Sequence, residues 1–219
     1  VAFVSFTNAA VDEAAERIGK TFDVDPTELT YSRTLHALCK RALGIGGQEW
    51  LADERLRAFG EEHGYTLGKR RKRADDDEQD ETAGTDAILL DIWDFARHRL
   101  ITAPWEAYRA FSDYDPDMVV RVRYPMFRAF RESYEEWKTV NGLRDYTDLL
   151  LQLVESPKTL PVSVAVIDEA QDLSPLMWAA ADALFANAPL RAVVIPKQPV
   201  KGGLGYLNGK SPGVFELLL

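Results

Sequence analysis

Val164-Ala165-Val166-Ile167-Asp168-Glu169-Ala170-Gln171-Asp172 is the stretch that decides the fold. An apolar run this continuous is the pattern of a strand buried on both faces, as in a parallel sheet covered by helices. Ligands of such sheets bind outside the carboxyl ends of the strands. Two adjacent acids at that end therefore suit nucleotide hydrolysis: the terminal Asp168 reaches a Mg²⁺ shell, and Glu169 orients or deprotonates the attacking water. An ordinary strand end with two surface acids has the same letters, and the run alone does not separate the two readings.

Working outward, Ser174-Pro175 is a helix cap followed by a first helical residue, and the helix extends to about residue 186. Residues 192–195 form another apolar strand. At the other end, residues 1–6 read as a buried strand, followed by a helix that Thr7 or Asn8 caps. Asp12 and Glu13 are placed where the helix dipole favours acids, and Val11, Ala14, Ala15 and Ile18 give that helix an apolar face. Asp23–Pro26 is a turn, Leu29–Tyr31 a short strand, and Thr34–Leu43 a helix carrying His36 that ends at the glycines of 44–47. Apolar strands alternating with helices predict an α/β domain with a parallel sheet. Because the chain starts at Val1 in mid-strand, it is expected to be a piece of a longer protein.

Residues 44–140 hold no such strand and read as a helical insertion, leaving 1–43 and 141–219 for the sheet domain. Within the insertion, 48–63 reads as an exposed helix, and 86–102 and 116–140 as two more. Lys69-Arg70-Arg71-Lys72-Arg73 runs straight into the acids of 75–78, so 68–85 is expected to be a mobile charged loop. Its basic half either touches phosphates or is neutralised by its acidic half. Tyr124, Phe127, Phe130, Tyr134 and Trp137 recur in steps of three and four. Such a stripe is either a stacking platform for bases or a packing face, and the spacing favours packing. Pro125 marks a kink or a helix start.

The 219 residues carry 26 Lys and Arg against 35 Asp and Glu, a net charge of −9, with 46% hydrophobic positions. That excludes a disordered tail and a globally basic nucleic-acid binder. No apolar run approaches the roughly 18 residues that span a bilayer. A single cysteine, Cys39, excludes an internal disulfide and points to a reducing compartment, so a cytoplasmic location is expected. Locally, residues 183–215 hold no Asp or Glu and carry Arg191, Lys197, Lys201 and Lys210.

Val4-Ser5-Phe6-Thr7-Asn8-Ala9-Ala10-Val11-Asp12-Glu13, taken with Asp168-Glu169-Ala170-Gln171-Asp172, resembles the UvrD/Rep group of superfamily 1 DNA helicases. Thr34-Leu35-His36-Ala37-Leu38-Cys39 is similar to the next DNA-contacting motif of that family. Asp145-Tyr146-Thr147-Asp148-Leu149-Leu150 is similar to its Asp-Phe-x-Asp-Leu-Leu segment, and Pro212-Gly213-Val214-Phe215 to the end of its third motif region. The resemblance implies a RecA-like sheet with flanking helices and a helical insertion, using ATP and Mg²⁺ to translocate 3′-to-5′ on single-stranded or 3′-tailed duplex DNA. It implies that Asp168 holds Mg²⁺, Glu169 activates water and Gln171 couples the nucleotide site to its surroundings. Thr7, Asn8, Thr34 and His36 would line the single-strand path. The alternative for His36 is a packed helix histidine, and Cys39 reads as buried packing.

Departures from the family pattern accompany the matches. The phosphate loop Gly-x-x-x-x-Gly-Lys-Thr/Ser is expected upstream of Val1. Gly209-Lys210-Ser211 does not supply it, because Leu204 stands at the required glycine and Pro212 follows. After strand 192–195 the family has Gly-Asp-x-x-Gln, where this chain has Pro196-Lys197-Gln198-Pro199-Val200, leaving Gln198 as a stand-in contact to the nucleotide. The family's Tyr-Gly-Trp-Arg-Gly corresponds to Gly205-Tyr206-Leu207-Asn208-Gly209, with Tyr206 available to stack on a base. A second motor domain is expected beyond residue 219, so the isolated chain is expected to be inactive. The competing reading is a catalytically degenerate helicase-like module that binds single-stranded DNA or a partner protein. An unrelated P-loop ATPase would explain Asp168-Glu169 but not Thr7-Asn8-Ala9-Ala10.

Overall fold

A computed structural model describes residues 1–46, 50–67, 86–116 and 122–194. The expected loop at 68–85, Gln198, Tyr206 and Lys197, Lys201 and Lys210 lie outside them. The chain divides into two compact units, Val1–Gly46 with Leu149–Leu219, and Gly47–Asp148.

The first unit is built on four parallel strands in the order β2-β1-β3-β4: β1 (Ala2–Ser5), β2 (Tyr31–Thr34), β3 (Val164–Ile167) and β4 (Leu190–Val193). β1 is central, with Ser5 opposite Thr34 on one side and Val4 opposite Ile167 on the other. Helix α1 (Asn8–Phe22) makes the crossover from β1 to β2, and α2 (Leu35–Leu43) follows β2 directly. The chain thus leaves β1 toward one side and returns as β3 on the other. This reversal of strand order opens a crevice at the carboxyl ends of β1 and β3, where open α/β sheets bind their ligands. After β3 comes α8 (Pro175–Leu184), and Leu35, Leu38, Cys39, Leu176 and Leu184 are buried with Val4, Ala165 and Ile167.

Local chemistry accounts for the element boundaries. Thr7, Thr34 and Ser174 cap α1, α2 and α8, their hydroxyls accepting the N–H of Ala10 at 3.1 Å, Ala37 at 3.4 Å and Met177 at 3.3 Å. Gly44 ends α2 in the left-handed conformation at φ 66°. Two expectations shift. The first turn of α1 holds no acid; Asp12 and Glu13 fall beyond it, and Glu13 pairs with Arg17 instead. The strand expected at 29–31 starts at Tyr31, because Pro26–Glu28 makes a tight helical turn capped by Asp25, whose carboxylate accepts the Thr27 N–H at 2.8 Å.

The second unit is helical: α3 (Asp53–His63), α4 (Ala87–His98), α5 (Pro104–Tyr114) and α6 (Tyr124–Val140), with the start of α7 (Tyr146–Glu155). Phe127 and Phe130 are fully buried, Tyr134 and Trp137 are 1% and 8% exposed, and Tyr124 is half-buried, so from Phe127 onward the aromatic stripe is a packing face. Pro125 lies in the first turn of α6, a helix start and not a kink. The helix read as exposed over 48–63 instead buries Leu56 and Phe59, and Phe59 meets Phe130, Tyr134 and Trp137 at 5.8, 5.5 and 5.4 Å. α5 was not expected from the sequence, and α6 starts later than 116.

This unit also buries a charge cluster around the Asp145–Asp148 motif. Arg97 of α4, 4% exposed, donates to both oxygens of Asp145 at 3.1 and 2.8 Å, to Asp148 at 2.9 Å, and to Asp94. Lys138 of α6 donates to Asp145 at 3.0 Å and Asp148 at 2.7 Å, and the Tyr134 hydroxyl to Asp145 at 2.9 Å. The backbone N–H groups of Asp145 and Asp148 each donate to the other's carboxylate, at 2.9 and 2.8 Å.

Candidate functional site at the carboxyl edge of the sheet

The carboxyl ends of β1, β2 and β3 enclose a cavity of about 70 Å³ lined by Ser5, Phe6, Thr34, His36, Asp168 and Met177 among others. It has room for roughly two waters and is well below the ~300 Å³ of the smallest ligand pockets. With Val4, Leu35, Ile167 and Leu173 also in its wall it is a small, mainly apolar cleft with a few polar groups, and not a nucleotide pocket. Three of the residues read from the sequence meet here: Thr34, His36 and Asp168. Thr7 and Asn8 leave the end of β1 as the exposed start of α1 and do not line the cavity. Ser5, 3% exposed at the end of β1, was not singled out from the sequence. Its signal was a lone hydroxyl in an otherwise apolar strand.

Asp168 is fixed by the sheet. Its backbone N–H donates to the Val4 carbonyl at 2.8 Å, extending the β1–β3 ladder by one residue. One carboxylate oxygen accepts the Glu169 N–H at 3.0 Å. β4 holds the same segment from the other side, with the Val194 N–H donating to the Ile167 carbonyl at 2.8 Å.

Glu169 occupies the left-handed region at φ 49°, ψ 41°. For a residue with a Cβ this conformation costs on the order of 1–2 kcal/mol, and such outliers cluster at functional sites. The turn throws the Glu169 side chain, exposed, off the end of β3. Partial burial and the nearby carboxylates of Asp168 and Asp172 raise its pKa above the ordinary glutamate value, which makes it a stronger base. Gln171 follows in a single helical turn, Ala170–Asp172, and its buried side-chain oxygen has no hydrogen-bond partner among the described residues.

Two features are placed outside the chemistry. Cys39 is fully buried, and burial pushes its thiol up to about 12, so it packs and does not react. Gly19-Lys20-Thr21 spells the end of a phosphate-loop motif, but Ala14 stands at the required glycine. The tripeptide lies in the last turns of α1, and Lys20 pairs with Glu16 at 3.5 Å. Carbonyls and the negative end of the dipole face out there, the reverse of a phosphate cradle.

No curated protein matches the chain. The family model for the UvrD/REP helicase N-terminal domain matches it over residues 1–198. With that match spanning both units and with an all-parallel sheet ending in Asp168-Glu169, the chain belongs to the UvrD/REP helicase family.

Proposed function

We propose that this chain is the first motor domain of an ATP-dependent DNA translocase, moving 3′-to-5′ on single-stranded DNA, with residues 44–140 as a helical insertion in a RecA-like core. The observation that carries the reading is the strained Asp168-Glu169 turn at the strand-order reversal, beside the cavity that Thr34 and His36 share with Asp168.

The acids fit Mg²⁺-nucleotide chemistry. Among the described residues no three His, Cys, Asp or Glu converge as an all-protein cation cage. Mg²⁺ does not need one: it keeps its waters and takes one or two carboxylates plus substrate phosphates. Asp168 has one carboxylate oxygen committed to the Glu169 N–H, and the other has no partner among the described residues. When bound, Mg²⁺ neutralises charge developing on the phosphates. Glu169, with its raised pKa, accepts the proton of the attacking water. Gln171 relays the state of the site through its buried amide. Thr7, Asn8, Thr34 and His36 receive the strand at helix starts, where hydroxyls and backbone N–H groups meet phosphates without reading bases. Gln198 would contact the nucleotide and Tyr206 stack on a base.

A catalytically degenerate binding module is the second reading, favoured by one feature: Pro196-Lys197-Gln198-Pro199-Val200 stands where the family has Gly-Asp-x-x-Gln. Glu169→Gln separates the two. The 219 residues contain no Gly-x-x-x-x-Gly-Lys-Thr/Ser run, so hydrolysis is assayed in a polypeptide that joins them to such a loop. Loss of the base is expected to lower DNA-stimulated ATP hydrolysis by roughly 100-fold or more while ATP binding persists. Wild-type hydrolysis in the variant removes Glu169 from the mechanism, and no hydrolysis by the wild type leaves the binding module.

A further inference from the structure

The helical unit carries an aromatic ridge at the edge of its core, where Tyr108 and Tyr124 are half-buried. Trp105, in the first turn of α5, is 51% exposed. Its indole lies nearly parallel to Tyr108, one turn on, with centroids 6.1 Å apart and 22° between the planes. Tyr124, the first residue of α6, stands edge-on at 4.9 Å from Trp105 and 5.6 Å from Tyr108. The ridge is fixed from beneath: the Tyr108 hydroxyl donates to the Val122 carbonyl, and its ring meets the buried Phe127 at 6.2 Å.

Two arginines lie close to these rings in the sequence. Arg109 follows Trp105 by one helical turn, and Arg123 immediately precedes Tyr124. Both are exposed, and neither forms an ion pair with a described residue, although Glu106 and Asp113 share α5 with Arg109. Arg128, one turn beyond Tyr124, is held by Glu132 at 2.8 Å. Two exposed arginines without an ion pair to a described residue, one on α5 and one at the start of α6, are notable in a chain of net charge −9.

We propose that Trp105, Tyr108 and Tyr124 form a stacking site for the bases of a single-stranded nucleic acid, with Arg109 and Arg123 binding its phosphates. The inference rests on the single-strand translocase reading and adds a second contact surface, on the helical unit. A π-face accepts any base but needs it unpaired, because duplex bases already stack on one another. Guanidinium is planar and matches phosphate oxygens in pairs. An acidic peptide would use the arginines without needing the rings, and an apolar partner the rings without the arginines; a single strand uses both.

The test measures binding of the 219-residue chain by fluorescence anisotropy. The probes are an oligothymidylate of about 20 nucleotides, an abasic oligomer of equal length and a blunt duplex. Trp105→Ala is expected to weaken oligothymidylate binding by roughly 5- to 100-fold and to leave abasic binding unchanged, with Trp105→Phe retaining most of the affinity. Arg109→Ala with Arg123→Ala should weaken both single strands and flatten the salt dependence of log K by about 1.4. Native-like melting of Trp105→Ala or Trp105→Phe guards against misfolding. Wild-type affinity in a folded Trp105→Ala overturns the proposal, as does equal binding of the duplex or equal competition by polyglutamate. If His36→Ala weakens binding while Trp105→Ala does not, the ridge is refuted and the DNA reading stands. If the wild type binds none of the probes, both fail.

Discussion

Asp145→Asn is the sharpest test of what holds the helical unit together. The Asp145 carboxylate accepts five hydrogen bonds: from Arg97 Nη1 and the Asp148 N–H on one oxygen, and from Arg97 Nη2, Tyr134 Oη and Lys138 Nζ on the other. Asparagine keeps the shape but turns one oxygen into a donor. In either amide orientation at least two of the five donors face an N–H₂ group. Each lost bond to a charged group is worth about 1.5–3 kcal/mol, and breaking a buried ion network costs about 3–5 kcal/mol, so a loss of about 3–5 kcal/mol is expected. With a urea m-value of about 2 kcal/mol/M, the midpoint should fall by about 2 M, read from the fluorescence of the chain's tryptophans. The acid limb adds a second readout. Burial alone would raise the Asp145 pKa, but Arg97 and Lys138 overcome it and hold the carboxyl below the usual range. Its contribution is therefore complete above about pH 4 and is lost as pH falls toward the depressed native value. Asp148 is displaced upward by burial and by the Asp145 charge, so its protonation on acidification returns part of that stability. The gap between wild type and Asp145→Asn should narrow below about pH 4. A midpoint shift no larger than that of breaking the exposed Arg17–Glu13 pair, or a gap constant from pH 7 to 3, would refute the reasoning.

Glu169→Gly should stabilise the chain by about 1 kcal/mol, because glycine occupies φ 49° without a Cβ penalty, and should abolish hydrolysis in the polypeptide that joins the chain to a phosphate loop. Thermal melting checks the first outcome, and a destabilised variant would show that the left-handed turn is not strained. Thr7→Ala should cost about 1 kcal/mol through loss of the cap on the Ala10 N–H, whereas Thr7→Ser keeps both the cap and the affinity for single strands. Equal melting temperatures for the two variants would remove the cap.

How far the sequence led depended on whether a residue's environment was local. β1 and β3 were legible because each is an apolar run, and Asp168-Glu169 because the acids end one. β4 was read at 192–195 but spans Leu190–Val193, because at the sheet edge it takes in the exposed Leu190 and Arg191. β2, Tyr31-Ser32-Arg33-Thr34, lies at the sheet edge, pairs on one side only and needs no apolar pattern, so its boundaries were missed. α5 was overlooked although Pro104 in its first turn and Trp105, Tyr108 and Phe111 at steps of three signal a helix. The buried charge cluster had no local signature. Arg97 and Lys138 read as ordinary helix-surface cations in a chain that is 28% charged, and only the meeting of α4, α6 and the start of α7 gives them their carboxylates. The aromatic stripe shows the converse. Its period foretold burial of Phe127, Phe130 and Tyr134, yet its first ring, Tyr124, is only half-buried and meets the exposed Trp105 of α5.

The candidate site itself depends on long-range pairing. Thr7, Thr34 and His36 come from the first 36 residues, and Asp168 and Glu169 arrive only after the whole helical unit has been traversed. What joins them is the parallel β1–β3 ladder, in which Val4 faces Ile167 and the Asp168 N–H takes the Val4 carbonyl. A one-residue slip would turn the buried Ala165 and Ile167 outward and move Asp168 off the edge it shares with Thr34. Burial of β3 thus fixes the register, and the register fixes the acids. The residue freed from this constraint is Glu169, the first beyond the ladder, and it is there that the backbone leaves ordinary strand geometry. A rigid carboxylate at the last ladder position, followed by a strained turn that carries the next one, is the geometry on which the proposed roles rest, a cation held by the first acid and a proton handled by the second.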